Sequence, residues 1–211
     1  MAARRTQEPG GNEARPNEAR RRSSRFSYYG RLGAAEKRTY RKSDAVGAIV
    51  LPLPGALVPI VERFRVALAA GKRAKIEHVA RELCLGITVS LEVPPVLVKV
   101  RSVRPSDHEG ELHGLYTWEK GKVAVIEVWM RTARNRRVVQ FRTFLRTLLH
   151  EVCHHLDFTL LGLSDTFHTE GFFRRESSLM RQLAGRPEKK ARAPKTADAV
   201  KSKQLALFAD G

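Results

Sequence analysis

The sequence predicts a single α+β domain, and three observations predict it. Apolar residues recur at helical spacing before residue 86 and after residue 138, β-branched and aromatic runs fill the stretch between, and both ends of the chain have few aliphatic residues to bury. A length of 211 residues supplies one core and flexible ends, too little for two well-cored domains. The expected division is a disordered basic tail over 1–42, a folded domain over 43–185, a basic flexible linker over 186–203 and a short separate motif at 204–208.

Residues 45–61 carry no charge, but Pro52, Pro54 and Pro59 interrupt any helix there. The run is also shorter than the roughly 20 residues of a membrane span, so extended chain packed on the core is expected, with no membrane role. From Pro59, Ile60, Val61, Phe64, Ala67 and Leu68 fall on one side of a helix that closes at Gly71. A short second helix places Ile76, Val79, Ala80 and Leu83 on its apolar face and closes near Gly86. Four strands are then expected, at 87–93, 96–103, 112–118 and 122–129, the last two joined as a hairpin by Glu119, Lys120 and Gly121. Residues 138–161 return to helical spacing for about six turns, with a buried stripe of Phe141, Leu145, Leu148, Val152, Leu156 and Leu160. A last helix covers 171–183.

The formal net charge is +17, and most of it lies in the ends: residues 1–42 hold 12 basic and 4 acidic side chains, residues 186–211 hold 7 and 3. Such tails favour polyanions because each neutralised phosphate releases counterions, so DNA is an expected partner through them. The plainer alternative is that they serve solubility. Cys84 and Cys153 both sit in apolar stretches, which excludes a disulfide scaffold and points to a reducing, cytoplasmic compartment, at the nucleoid if DNA is bound. No apolar run follows the first arginines, so no secretory signal is expected.

The chemistry concentrates in His150-Glu151-Val152-Cys153-His154, an H-E-x-x-H motif inside the long amphipathic helix. Residues four apart share a helix face, so His150 and His154 can converge on one ion with Glu151 beside them. Zinc held in that way brings the pKa of its water toward 7, and the neighbouring carboxylate can act as general base. A catalytic zinc usually takes three protein ligands. His168 is the preferred third, at the entrance to the last helix, with Glu170 and Glu176 both chemically acceptable. The alternative is a half-buried helix that places two histidines at i and i+4 without consequence. His155 points about 100° away from His154 and reads as a supporting or core histidine. Asp157 either fixes the tautomer of a ligand or is an exposed helix residue.

Residues 59–184 resemble the SprT-like (Spartan-like) zinc metallopeptidase family. The likeness is carried by His150-Glu151-Val152-Cys153-His154 and by His168-Thr169-Glu170-Gly171-Phe172, which is similar to the family's H-G-x-x-F. It implies a minimal zincin-like fold, with a small mixed or antiparallel sheet packed on the active-site helix. It also implies one catalytic Zn2+ on His150, His154 and His168, with Glu151 as general base and proteins at or crosslinked to DNA as substrates. Thr169 departs from the family's usual Gly, and the absence of any cysteine after Cys153 excludes the zinc ribbon that many members carry. In zincins the substrate lies along a sheet edge, for which 122–128 is the candidate; Tyr116 and His155 are the weakly indicated donors to a developing oxyanion.

At the end of the chain, Gln204, Leu205, Ala206, Leu207 and Phe208 resemble the short motif with which bacterial repair proteins bind the replication sliding clamp. Leu207 and Phe208 would be the pocket anchors and Gln204 the polar contact. Two other functions compete: a regulatory metallopeptidase that cleaves one protein partner without DNA, and a non-catalytic nucleic-acid-binding module. Glu151 argues against the second, since a purely structural site has no use for a base.

Overall fold

The computed structural model describes residues 26–185 apart from Glu109 and Lys120. The expectations for residues 1–25, the linker 186–203 and the motif 204–208 fall outside those residues.

The fold is α+β. A 3-10 turn at Ser27–Arg31 precedes α1 (Ala34–Ala45), α2 (Pro54–Ala69) and α3 (Arg73–Ser90); β1 (Leu97–Val103), β2 (Ser106–Asp107), β3 (Gly110–Glu111), β4 (Gly114–Thr117) and β5 (Val125–Arg131) follow; α4 (Phe141–Thr159) and α5 (Glu170–Ala184) close the described chain. β5 lies between β1, to which it is parallel, and β4, to which it is antiparallel, giving a mixed three-stranded sheet. β2 and β3 form a separate small ribbon. α4 packs on β4 and β5, α3 on β1, and α5 against α1, α2 and α4.

Four expectations need correction. The ordered chain begins before residue 43. Tyr40 is 1 % exposed and its ring meets Tyr28, Tyr29 and Phe167, so a few aromatics give this Arg-rich segment enough to bury. α2 starts at Pro54, not at Pro59. A proline suits the first turn, and Pro59 forfeits only its bond to the Gly55 carbonyl. Residues 87–93 are not a strand: α3 continues through them to Ser90, because Ile76, Val79, Ala80, Leu83 and Ile87 make one buried stripe. Gly86 does not end that helix; a Cβ there would stand 2.5 Å from Leu57 Cδ2, so its missing side chain lets α2 pack closely on α3.

The fourth correction concerns the sheet edge. The pairing of the last two strands is as expected, but 122–128 is not an edge, because β1 returns to cover the far side of β5. Ile126 and Val128 are completely buried there. The edge beside α4 is β4, whose burial alternates between half-buried and exposed.

Candidate metal centre

The middle of α4 is buried on nearly every side: Leu148, Leu149, Val152, Cys153 and Leu156 are fully buried, and His154 is 8 % exposed. Packing therefore sets the direction of both motif histidines before any ligand arrives. His168 comes from the loop ahead of α5, where its carbonyl accepts from Tyr28 Oη at 2.9 Å. Thr169, at the position where Gly is common in the family resembled, is the N-cap of α5, and its side chain accepts from Phe172 N at 3.0 Å. That cap turns the chain so that Phe172 lies under all three imidazoles, with ring centroids 4.9, 4.7 and 5.2 Å from His150, His154 and His168.

The three imidazoles converge. His168 Nε2 lies 2.9 Å from His150 Nε2 and 3.1 Å from His154 Nε2. The outer nitrogens show what the inner ones carry. His150 Nδ1 is 3.0 Å from Glu176 Oε2, and since a carboxylate only accepts, Nδ1 holds the proton. His154 Nδ1 is 2.7 Å from Thr166 Oγ1, whose own proton goes to Asp157 Oδ2 at 2.8 Å, so this Nδ1 is also the donor. Both Nε2 atoms thus direct lone pairs inward. His168 has at most one Nε2 proton to share between them, so at least one close pair has no hydrogen to bridge it. A cation satisfies all three. Zn–N bonds of about 2.0–2.1 Å in a tetrahedron require nitrogens roughly 3.3 Å apart, a few tenths of an ångström from the two separations that His168 makes, and all three nitrogens lie within 4.8 Å of one another.

Electrostatics act in the same direction. Burial first, then the neighbouring His150, His168 and Arg175, pushes His154 down to about 3. Burial followed by His150 also lowers His168. Neutral rings are the state a metal requires. Glu151, 6 % exposed, has no hydrogen-bond partner for its carboxylate among the described residues, and burial raises it to about 7 against the opposing effect of His150. Its carboxylate lines two adjoining clefts of about 400 and 290 Å³, which reach from Arg146 and Thr143 past the histidines to Tyr116.

The alternative third ligands are placed elsewhere. Glu170 is exposed and paired with Arg174 at 3.3 Å. Glu176 stands behind His150, held also by Arg146 at 3.1 Å, and orients the ring from its outer nitrogen. His155 turns away from the cluster: its Nε2 lies 2.8 Å from the Pro94 carbonyl and must donate to it, so its Nδ1 accepts the Tyr116 hydroxyl proton at 3.2 Å. In this arrangement the Tyr116 proton is engaged, while Tyr116 itself lines the cleft beside the histidines.

Asp157 is neither an exposed residue nor a direct partner of a ligand. It is fully buried, reaches His154 through Thr166, and accepts from Arg175 Nη2 at 2.7 Å. Arg175, also fully buried, donates in turn to the carbonyls of Ser43 and Val46. Sequence reading also missed Gly114. A Cβ there would stand 2.3 Å from Glu151 Oε1, so only glycine leaves the carboxylate its place. A glycine inside a strand is the signal that could have found it. Compared with known proteins, the chain matches no family model, no curated protein and no solved structure.

Proposed function

We propose that this chain is a zinc-dependent peptidase of the SprT-like type on a minimal zincin-like fold, acting on proteins at or crosslinked to DNA. The observation that carries the reading is the confrontation of three imidazole Nε2 atoms within 3.1 Å along the His150–His168–His154 chain, with Glu151 beside them in an open cleft. A zinc ion held there supplies Lewis acidity, acidifying water and polarising a carbonyl.

The protein's own groups do the rest. Glu176 and Thr166 keep two imidazoles in the tautomer that leaves Nε2 free. Glu151, with a carboxyl near neutrality, takes the proton of the attacking water and delivers it to the departing amide nitrogen. The free edge of β4 borders the cleft through Gly114, Leu115 and Tyr116. An extended polypeptide pairing with that edge would be held by its main chain, with little demand on side-chain identity. The net charge of +17 supports a substrate presented on DNA.

The test is metal analysis and proteolysis on the purified chain. One zinc per chain is expected, lost on replacing His150 and His154 by Ala. Glu151→Gln should keep the zinc and abolish cleavage of a DNA-bound protein. Full activity of Glu151→Gln would remove the peptidase mechanism, and equal cleavage with and without DNA would remove the DNA-linked substrate. A peptide of residues 186–211 that fails to bind a sliding clamp would remove the role expected of Gln204, Leu205, Leu207 and Phe208.

A further inference from the structure

The connection between β5 and α4 carries a positive cluster that peptide hydrolysis does not use. After Arg131 the chain runs Thr132-Ala133-Arg134-Asn135-Arg136-Arg137 and returns at Val138, which bridges back to Arg131. The loop is tied internally: Thr132 N donates to Arg137 O at 3.0 Å, Arg136 N to Thr132 O at 3.1 Å, and Arg131 Nη1 to Arg136 O at 3.0 Å. Arg136 holds φ 50, a left-handed value that an arginine keeps only where its surroundings determine it. Three exposed guanidinium groups, those of Arg134, Arg136 and Arg137, therefore project from a fixed turn.

None of the three has an acidic partner among the described residues. Several other surface arginines do, as in Arg65 with Glu62, Arg81 with Glu77 and Arg101 with Glu127, whereas Arg38 and Arg41 on α1 are exposed without one among the described residues and so serve as the control below. The cluster extends on both sides. Arg131 Nη2 and Val138 lie against Gly71, each 3.7 Å from where its Cβ would stand, which puts Lys72, exposed and without an acidic partner among the described residues, beside the loop. Arg142, in the first turn of α4, donates to the carbonyls of Ala184 and Gly185 at 3.0 and 3.1 Å. The described chain therefore ends beside the first turn of α4.

We propose that this face is a binding site for the phosphate backbone of a polynucleotide, with Arg134, Arg136 and Arg137 as its fixed contacts. Guanidinium forks match phosphate oxygens, and a rigid loop loses little entropy on engaging them. The loop offers no large exposed apolar side chain, which the core of a protein interface would need. The site deepens the DNA-linked reading above and rests on it for its purpose, since it would hold DNA on the same body that carries the cleft and present an attached protein to it. Its binding chemistry is independent of the zinc.

The experiment uses the full chain with Arg134→Ser, Arg136→Asn and Arg137→Ser combined, Asn being tolerant of the left-handed backbone. Binding to single-stranded and duplex oligonucleotides is followed by fluorescence anisotropy across a salt series. At about 0.15 M salt the affinity should fall on the order of 100-fold, and the slope of log K against log salt should shrink by about 2 to 3 for duplex, near 0.9 per phosphate contact. A control triple on α1, Arg38→Ser, Arg41→Ser and Lys42→Ser, removes the same formal charge and should change affinity less than about threefold if position rather than total charge matters. Unchanged melting temperature and zinc content show that both variants fold.

Equal losses in the two triples, or an unchanged salt slope, overturn the site. So does tighter binding to polyglutamate than to DNA, which would make the occupant an acidic protein. Cleavage of a denatured protein without DNA, measured alongside, separates this proposal from the peptidase reading. A loop triple that loses DNA but cleaves normally supports both. A parent chain that cleaves nothing, with selective loss of DNA binding in the loop triple, keeps the site and removes the peptidase. A parent chain that cleaves, with both triples binding DNA equally, does the reverse.

Discussion

On the proposed peptidase reading, Gly114 and Thr166 are single residues that would set the chemistry without touching an ion. Gly114→Ala would drive a methyl group into Glu151 Oε1, and the carboxylate must swing away. A displacement of about 1 Å can cost on the order of 100-fold in turnover, so kcat should fall by about that much while zinc content stays constant. Thr166→Val removes the acceptor for His154 Nδ1–H and should weaken zinc binding about 10- to 100-fold, measured by competition with a chelating dye. The two cysteines make a contrasting case. Burial pushes the Cys84 thiol up to about 12 and raises Cys153 as well. Both lie below the surface with negligible thiolate at neutral pH, so a disulfide-exchange reagent should label neither in the folded chain and both after unfolding.

At the scale of elements, the decisive feature is the tie between α4, α5 and the end of α1. Arg175 and Asp157 are completely buried, and Arg175 also caps the carbonyls of Ser43 and Val46. A buried pair of this kind adds little net stability, but removing one partner leaves the other charge stranded. Asp157→Ala should therefore destabilise by about 3–5 kcal/mol in urea unfolding, and should also loosen the zinc, since Thr166 loses its orienting acceptor. The same junction explains Gly171, whose Cβ would meet the Asp44 carbonyl oxygen at 2.5 Å.

For the whole molecule, the proposed zinc site, with three imidazoles joined from α4 and the loop before α5, would make metal binding part of the tertiary fold. Chelating the zinc should lower the melting temperature by roughly 10 °C when the ion was present at a thousand times its Kd, because ligand linkage of about 4 kcal/mol is lost. Calorimetry with and without chelator, repeated on His150→Ala, checks this, the variant being expected to show no shift. The N-terminal boundary is also a property of the whole. Residues 26–45 read as tail by composition, yet Tyr40 and Ser43 are buried against elements more than a hundred residues later, Ser43 Oγ accepting from Arg175.

By itself the sequence determined what is periodic and local. The spacing of His150, Glu151 and His154 on one helix face, the two closing helices, and the antiparallel pairing of the last two strands all follow from 3.6- and 2-residue repeats between near neighbours. It also singled out His168, through a motif rather than a period. Only the tertiary structure decided which strand is the edge, since β1 reaches β5 from across the ribbon and nothing in 122–128 records that arrival. The same holds for the route from His154 through Thr166 and Asp157 to Arg175, and for the glycine under Glu151. The physical reason is that a helix is closed by bonds four residues apart, whereas a sheet edge or a buried polar chain is closed by segments whose separation along the chain leaves no periodic trace.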